Sequence, residues 1–386
     1  RNIFTYRRTG NETVNYSWNT LDSTEKDFFR DAADPAGDYT KAEKRFNWSR
    51  GNATDEVTTN QAGVDRLRSR GEGDSRNIYG DIVNSTPVYI ANTNFRYHKL
   101  TAANGGTSYQ TYLTAKAAKT PKVAVGANDG MLHVFNANTL AEIYAYVPKL
   151  VFPKLRNLSA QNYGRSTNPH QYLVDGPLTV SDVYINNSWR TIVVGTLGGG
   201  GRGVFALDVT DTTPKVLFEI SDADFPELGY VLGKPLIAPL KNGSWGVIFG
   251  NGDSSGSAAV TTESHLFVVD IKNPLTDTVI ISTGSGKGLS APAVLPDANG
   301  TVKAVYAGDL SGQLWKFDLS TTESSGWDDK TYKLFHAKTA GSTPKEQPIT
   351  AAPTLGINKA KGGRIAVYFG TGKYFEAGDH TVSGSN

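Results

Sequence analysis

The chain has 386 residues, with 39 Lys and Arg against 37 Asp and Glu, a formal net charge of +2. That balance supplies no global field for nucleic acid or an anionic membrane surface. The absence of cysteine excludes disulfide frameworks, thiolate metal sites and cysteine nucleophiles. With 41 Gly, 18 Tyr and 16 Phe, the composition suits many short strands joined by glycine turns. No apolar run approaches the roughly 18 residues that a membrane-spanning helix needs. The numbering opens at Arg1 rather than Met, so the chain is expected to be an excised or mature portion of something longer.

In chain order, residues 1–75 differ from the rest. Arg1–Arg8 reads as a strand, expected to close a ring from the opposite terminus. Asp22 or Ser23 is placed to cap a helix running through Phe28, Phe29 and Arg30, ending near Asp34-Pro35. A second helix is predicted over 56–68, stopped by Gly71, with polar sequence containing Trp48 between the two. Residues 1–75 are thus expected to be a strand plus helical decoration packed on a domain spanning 76–386.

That larger segment repeats one unit. An apolar strand ends in Gly, a polar turn carries a second Gly, and an alternating strand ends in an acidic or amide residue. Val123–Gly126 leads into Met131–Asn136, and Ile192–Gly195 into Val204–Asp208. Val247–Gly250 leads into Leu266–Asp270, and Val305–Gly308 into Leu314–Asp318. Val367–Gly370 is a fifth copy. Each is preceded by a proline: Pro87, Pro177, Pro235, Pro292 and Pro353, which lie 90, 58, 57 and 61 residues apart. Proline lacks a ladder donor and suits the first residue of a strand. A period near 58 with about four strands per unit predicts propeller blades. The first interval is long because residues 95–121 read as an inserted loop. That loop, 150–172 and 253–264 are non-repetitive polar segments, either of the kind that carry binding on rigid scaffolds or inert insertions. Asp208, Asp270 and Asp318 are expected to form Asx turns at strand ends. Trp315 and Phe317 share one strand face and are expected in the core between blades. The tail from 378 to 386 reads as a frayed end.

Arg76-Asn77-Ile78-Tyr79-Gly80-Asp81 through Pro87-Val88-Tyr89 resembles the opening of the C-terminal domain of the PilY/PilC family of type IV pilus proteins. So, in order, do Val125–Phe135, Gly201–Thr210, Phe249–Gly252 and Tyr306–Leu310 with Trp315–Leu319. The resemblance covers roughly 60–375. It implies an all-β fold: a modified seven-bladed β-propeller with quinoprotein-like blades and a small N-terminal helical decoration, two blades being too irregular to read. It further implies a non-enzymatic module at the cell surface, exported through periplasm and outer membrane. Its roles would be pilus assembly, opposition to retraction and host-cell attachment. Pilin or minor pilins, the pilus machinery and a host-cell receptor would be its partners, with no nucleic acid and no direct membrane insertion.

The resemblance also places a calcium loop before Tyr306, with hard oxygen ligands at alternate positions and a backbone carbonyl at the seventh. The corresponding residues are Leu295, Asp297, Asn299, Thr301 (carbonyl) and Lys303. Asp297, Asn299 and Thr301 keep oxygen donors, but Leu295 and Lys303 replace ligands with an apolar group and a cation. These departures argue against calcium, and no other cofactor is implied. A hairpin turn on Asp297–Gly300 is the reading preferred here. A sharper expectation puts the Lys303 ammonium where the family holds its ion, bonded to Asp297.

Other motifs resolve to structure. Gly198–Gly203 satisfies G-x-G-x-x-G, but a strand rather than a helix follows, which removes the phosphate-binding helix terminus. Gly284–Gly288 lacks the P-loop spacing. His98, His133, His170, His265, His336 and His380 form no metal-binding pair; His133, in an alternating strand, reads as a satisfied structural group. Asp222–Asp224 and Asp34–Asp38 read as solvated acidic turns. Arg70-Gly71-Glu72 is near, but not, an integrin-type Arg-Gly-Asp. Two alternatives to the pilus reading share the fold: a quinone-dependent dehydrogenase-like propeller and a generic protein-binding surface scaffold.

Overall fold

The structure is a computed structural model and describes residues 1–59, 63, 65–253, 263–375 and 378–379. Strand β1 (Ile3–Arg7) and β2 (Glu12–Asn15) form a hairpin, followed by helices α1 (Ser23–Asp27) and α2 (Thr40–Ser49). Asp22 caps α1 in a capping box, accepting from the Glu25 amide at 2.8 Å while Glu25 reaches back to the Asp22 amide at 2.9 Å. Helix α2 falls in the polar stretch around Trp48, where no helix was expected. It buries Ala42, Phe46 and Ser49 along one face, at i, i+4 and i+7. The helix expected over 56–68 is absent among the described residues. There Glu56 bridges Leu67, and the Glu56 carboxylate turns inward to Arg70 at 2.5 Å.

Five sheets follow, as the period predicts. The first contains β3 (Val88–Ile90), β4 (Lys122–Ala127), β5 (Met131–Asn136) and β6 (Glu142–Val147), with α3 (Tyr109–Ala117) inserted after β3. Helix α4 (Phe152–Leu158) leads to β7 (Leu178–Ile185), β8 (Ser188–Thr196), β9 (Gly203–Asp208) and β10 (Lys215–Ser221). The third sheet holds β11 (Leu236–Pro239), β12 (Trp245–Gly250), β13 (His265–Asp270) and β14 (Val279–Ser282). The fourth holds β15 (Leu289–Pro296), β16 (Val302–Asp309), β17 (Gln313–Asp318) and β18 (Thr331–His336), and the fifth β19 (Thr354–Asn358) and β20 (Arg364–Tyr368). The second, third and fourth sheets each place their four strands in consecutive order, the meander of a blade. Pro87, Pro177, Pro235 and Pro353 stand immediately before strands, as expected. Pro292 instead sits inside β15, opposite Ala307 and just after a register shift.

The N-terminal strand joins the first sheet rather than pairing with a described strand from the opposite terminus. It pairs in parallel with β6 (Ile3 with Ala145, Thr5 with Val147), giving the first sheet the order β2-β1-β6-β5-β4-β3. Thr5 fixes the register by donating its hydroxyl to the Val147 carbonyl at 2.8 Å.

Contacts divide the chain into two compact units. The first comprises Arg1–Thr93, Leu113–Val180 and Thr191–Glu219; the second comprises Asn94–Tyr112, Ser181–Arg190 and Ile220–Asn386. In the first, Tyr16, Phe29 and Phe46 of the N-terminal segment share one core with Leu132, Phe152 and Phe205. In the second, Ile248, Leu266, Val305, Trp315, Phe317 and Trp327 form a core that runs across the third and fourth sheets, as expected for Trp315 and Phe317. The 95–121 segment is structured rather than an open loop. Its Tyr97 stacks on Trp189 with centroids 5.7 Å apart, and Trp189 donates its indole N–H to the Gly105 carbonyl at 3.1 Å.

Candidate functional site

The 295–303 segment is the β15–β16 hairpin turn. Pro296 opposes Val302, and Gly300 has a φ of +87°, a conformation that favours glycine. The Asp297 amide donates to the Thr301 carbonyl at 2.8 Å. The Asp297 carboxylate accepts from the amides of Asn299 (2.9 Å) and Thr301 (3.1 Å) and from the Thr301 hydroxyl (2.8 Å). Its fourth partner is the Lys241 ammonium at 2.7 Å. Burial raises the Asp297 carboxyl, but Lys241 and the Thr301 donors outweigh it and hold the group below the usual range. Lys303 is exposed, so the ammonium here comes from the β11–β12 turn and not from Lys303. Leu295 is half-buried opposite Ala304. These residues do not fit calcium: one carboxylate, already neutralised by an ammonium, faces a carbonyl that is itself engaged.

His133 on β5 occupies a different setting. One ring nitrogen lies 2.8 Å from Glu142 Oε1 and the other 3.0 Å from Asp129 Oδ2. Arg1 contacts Glu142 through Nε at 2.7 Å, and Tyr79 packs edge-on to the imidazole at 5.1 Å. Burial opposes the imidazolium, but the two carboxylates outweigh it and push His133 up to about 9. Glu142 is correspondingly held down to about 2, its partners overcoming burial. A doubly donating imidazolium has no free lone pair at neutral pH, so it neither accepts a proton nor ligates a metal. The structural reading of His133 therefore stands.

This arrangement predicts a pH dependence. His133 rises from 6.5 unfolded to about 9 folded, so its stabilisation is full below pH 6.5 and is lost as pH climbs through 9. The loss is worth about 3 kcal/mol at one pKa unit per 1.36 kcal/mol. The melting temperature is expected to fall across that window and to flatten in His133→Gln; an unchanged slope in the variant would refute the assignment. Glu219 titrates lower. It is buried, accepts from the Lys149 amide at 2.9 Å and from the Tyr146 hydroxyl, and is pushed by burial from 4.5 up to about 7. Its contribution is present below 4.5 and lost by about 7, which separates the two effects.

Just beyond three of the strand-ending glycines, Gly126, Gly250 and Gly308, a polar residue ties its strand to the chain segment that leads into the next blade. Asn128 accepts from the Leu173 amide at 3.0 Å, and Asn251 from the Leu289 amide at 2.8 Å. Asp309 accepts on its backbone carbonyl from the Ile349 amide at 2.9 Å. The terminal aspartates behave as read: Asp208, Asp270 and Asp318 each accept from an amide two residues on, at 2.9, 2.8 and 3.2 Å.

The family model described as the PilY1 beta-propeller domain matches residues 79–386. The chain belongs to this family. It is 40% identical over 341 residues to a type IV pilus biogenesis factor PilY1 homolog of Xylella fastidiosa, covering 87% of this chain and 26% of the relative. It is 35% identical over 361 residues to the type IV pilus biogenesis factor PilY1 of Pseudomonas aeruginosa strain PAK, covering 88% and 29%. The crystal structure of the P. aeruginosa PilY1 C-terminal domain aligns with a TM-score of 0.61 at 33% identity, covering 78% of this chain and 62% of that one. The chain thus spans less than a third of the curated PilY1 relatives. The resemblance carried by the five sequence blocks is the family shown.

The remaining motifs of this PilY1-family chain sort readily. Gly203–Asp208 is strand β9, so the glycine run does not precede a helix of the dinucleotide kind. Arg70 is pinned to Glu56, and Glu72 accepts from the Thr59 amide at 2.7 Å, so Arg70-Gly71-Glu72 is not a presented tripeptide. Asp34 departs from a solvated turn: it is buried and paired with Arg45 at 2.5 Å, which holds its carboxyl below the usual range. Asp224 accepts from the Ser221 amide at 3.0 Å in an ordinary turn. His380 and most of the 253–264 loop and the 378–386 tail lie outside the described residues. Among the described residues, no helix is long and apolar enough to cross a membrane. Sequence reasoning missed Lys241, which no motif marks.

Proposed function

We propose that this chain is a non-enzymatic protein-binding module of type IV pilus biogenesis, displayed at the cell surface. It would act in pilus assembly, oppose retraction and attach to host cells through pilin-type subunits, the pilus machinery and a host receptor. The observation that carries the reading is identity of 35–40% to type IV pilus biogenesis factors across 87–88% of this chain. The family resemblance implies a seven-bladed ring as its architecture, and the steady period supports the blades themselves. Removing this segment from the full-length protein in a piliated strain is expected to abolish surface pili and attachment. Disabling retraction in that strain should restore the pili if the module acts chiefly against retraction. Unchanged piliation and adherence in the deletion strain would overturn the proposal.

The reading includes a calcium-independent 295–303 turn, supported by the Lys241–Asp297 contact at 2.7 Å. Chelator-stripped protein is expected to melt at the same temperature with and without millimolar Ca²⁺, since an ion bound only by the folded state would raise it. A calcium-dependent rise that Asp297→Asn removes would show that the turn holds metal after all.

A further inference from the structure

Arg68 lies in the wall of a cavity of about 240 Å³, together with Trp48, Tyr79, Asp81, Asp129 and Tyr163. Its guanidinium is clamped between two rings, with its central carbon 5.1 Å from the Trp48 centroid and 4.9 Å from that of Tyr163. Nε donates to the Leu158 carbonyl at 2.8 Å, and this is the one hydrogen bond its side chain makes among the described residues. The two terminal nitrogens are left over.

Each of the other charged groups lining the cavity has a side-chain partner. Arg70 pairs with Glu56 at 2.5 Å, Asp129 with His133 at 3.0 Å and Asp81 with His170 at 3.0 Å. Arg68 makes no ion pair of its own; burial lowers its pKa, and Tyr163, Glu56 and Asp81 nearby oppose that only in part. A half-buried guanidinium held by two rings, with its terminal nitrogens uncommitted to the protein, is preorganised to take a carboxylate.

The chain segment that supplies Tyr79 and Asp81 to the lining and runs on through Ile82 and Val83 adds a second feature. Tyr79, Ile82 and Val83 are 40%, 51% and 52% exposed. Their segment is braced on both sides: the Asn128 amide donates to the Asp81 carbonyl at 2.9 Å, and the Asn84 side-chain amide to Asp175 at 2.6 Å. Exposed aliphatic groups held on a fixed backbone present preorganised apolar contact. They suit the side chains of a peptide better than the hydroxyls of a sugar.

We propose that this cavity is a receptor for an acidic peptide segment, with a Glu or Asp carboxylate bound end-on by the two terminal nitrogens of Arg68. Neighbouring apolar side chains of the peptide rest on Ile82 and Val83. The site goes beyond the pilus reading by naming the chemistry of a partner, and its test is independent of piliation.

The test follows the side-chain ¹⁵N–¹H resonances of Arg68 in the purified chain, assigned by their loss in Arg68→Lys. The probes are acetyl-Val-Ile-Glu-Val-Ala-amide, its Glu→Gln twin and free glucuronate. The Glu peptide is expected to shift the Arg68 signals. The Gln twin should bind about tenfold more weakly or worse, since Arg–carboxylate recognition is charge-assisted. Arg68→Lys keeps the charge and loses the planar fork, and should weaken the Glu peptide, followed by calorimetry, by about tenfold with the fold intact. Absence of any shift, or equal binding of the two peptides, would overturn the proposal. Glucuronate binding as tightly as the Glu peptide would overturn the choice of a peptide in favour of an acidic sugar.

Discussion

Gly250→Ala is expected to destabilise the protein by about 3 kcal/mol, in the upper range for overpacking a well-packed site. A Cβ on Gly250 would lie 2.5 Å from the Leu289 carbonyl carbon and from the Ser290 oxygen, and closer still to the Leu289 oxygen. These are backbone atoms at the start of the fourth sheet, tied down by the Gly252 amide, which donates to Leu289 at 2.9 Å. They have no rotamer with which to move aside. An exposed Gly→Ala change in a compatible conformation would instead stabilise by about 0.4–1 kcal/mol through the unfolded chain. Gly370 supplies the control, because a Cβ there meets nothing within 4 Å. Gly370→Ala is expected to stay within about 0.5 kcal/mol of the parent. Equal urea midpoints for the two variants would show that the strand-ending glycines are not there for close approach. Gly126 and Gly308 meet Val174 and Ile349 in the same way.

Asp309→Ala should cost about 4 kcal/mol, the range for removing one partner of a buried charged network. Asp309 is fully buried at the end of β16. Its carboxylate accepts from the amides of Ser311 (2.9 Å) and Gln313 (2.8 Å), the Trp315 indole N–H (2.8 Å) and the Ser264 hydroxyl (3.2 Å). Burial raises its carboxyl above the usual range, and these donors hold it back. Alanine leaves them buried without an acceptor. Asp309→Asn keeps one oxygen for the turn amides but turns an N–H toward Trp315, and should cost about half as much. Thermal melts at neutral pH check the order Ala below Asn below parent. Equal melting temperatures for all three would refute a load on this carboxylate.

The repeat was legible because its causes are local. A strand-opening proline, a glycine that cannot carry a Cβ, and an aspartate that bonds the amide two residues on are properties of a few neighbouring residues. They recur with the blade, so Pro177, Gly250 and Asp270 announced their roles in the sequence itself. The cap at Asp22 was readable for the same reason, although the helix it opens ends at Asp27 rather than near Asp34. The helix placed over 56–68 failed because propensity there is weak and the Glu56 charge is claimed by Arg70. Residues 40–49 became a helix because Ala42 and Phe46 had a core to enter.

What tertiary structure alone decided is pairing at a distance. Arg1 and Glu142 lie 141 positions apart, Lys241 and Asp297 56, and Arg68 and Leu158 90. No periodicity links such residues; only the stacking of one blade on the next, or of the N-terminal segment on β6, brings them within hydrogen-bond reach. The sequence by itself determined the blade, its turns and its family. The charge beside Asp297, the imidazolium between two carboxylates and the guanidinium clamped between Trp48 and Tyr163 were settled by packing, because each depends on which surfaces meet in the fold.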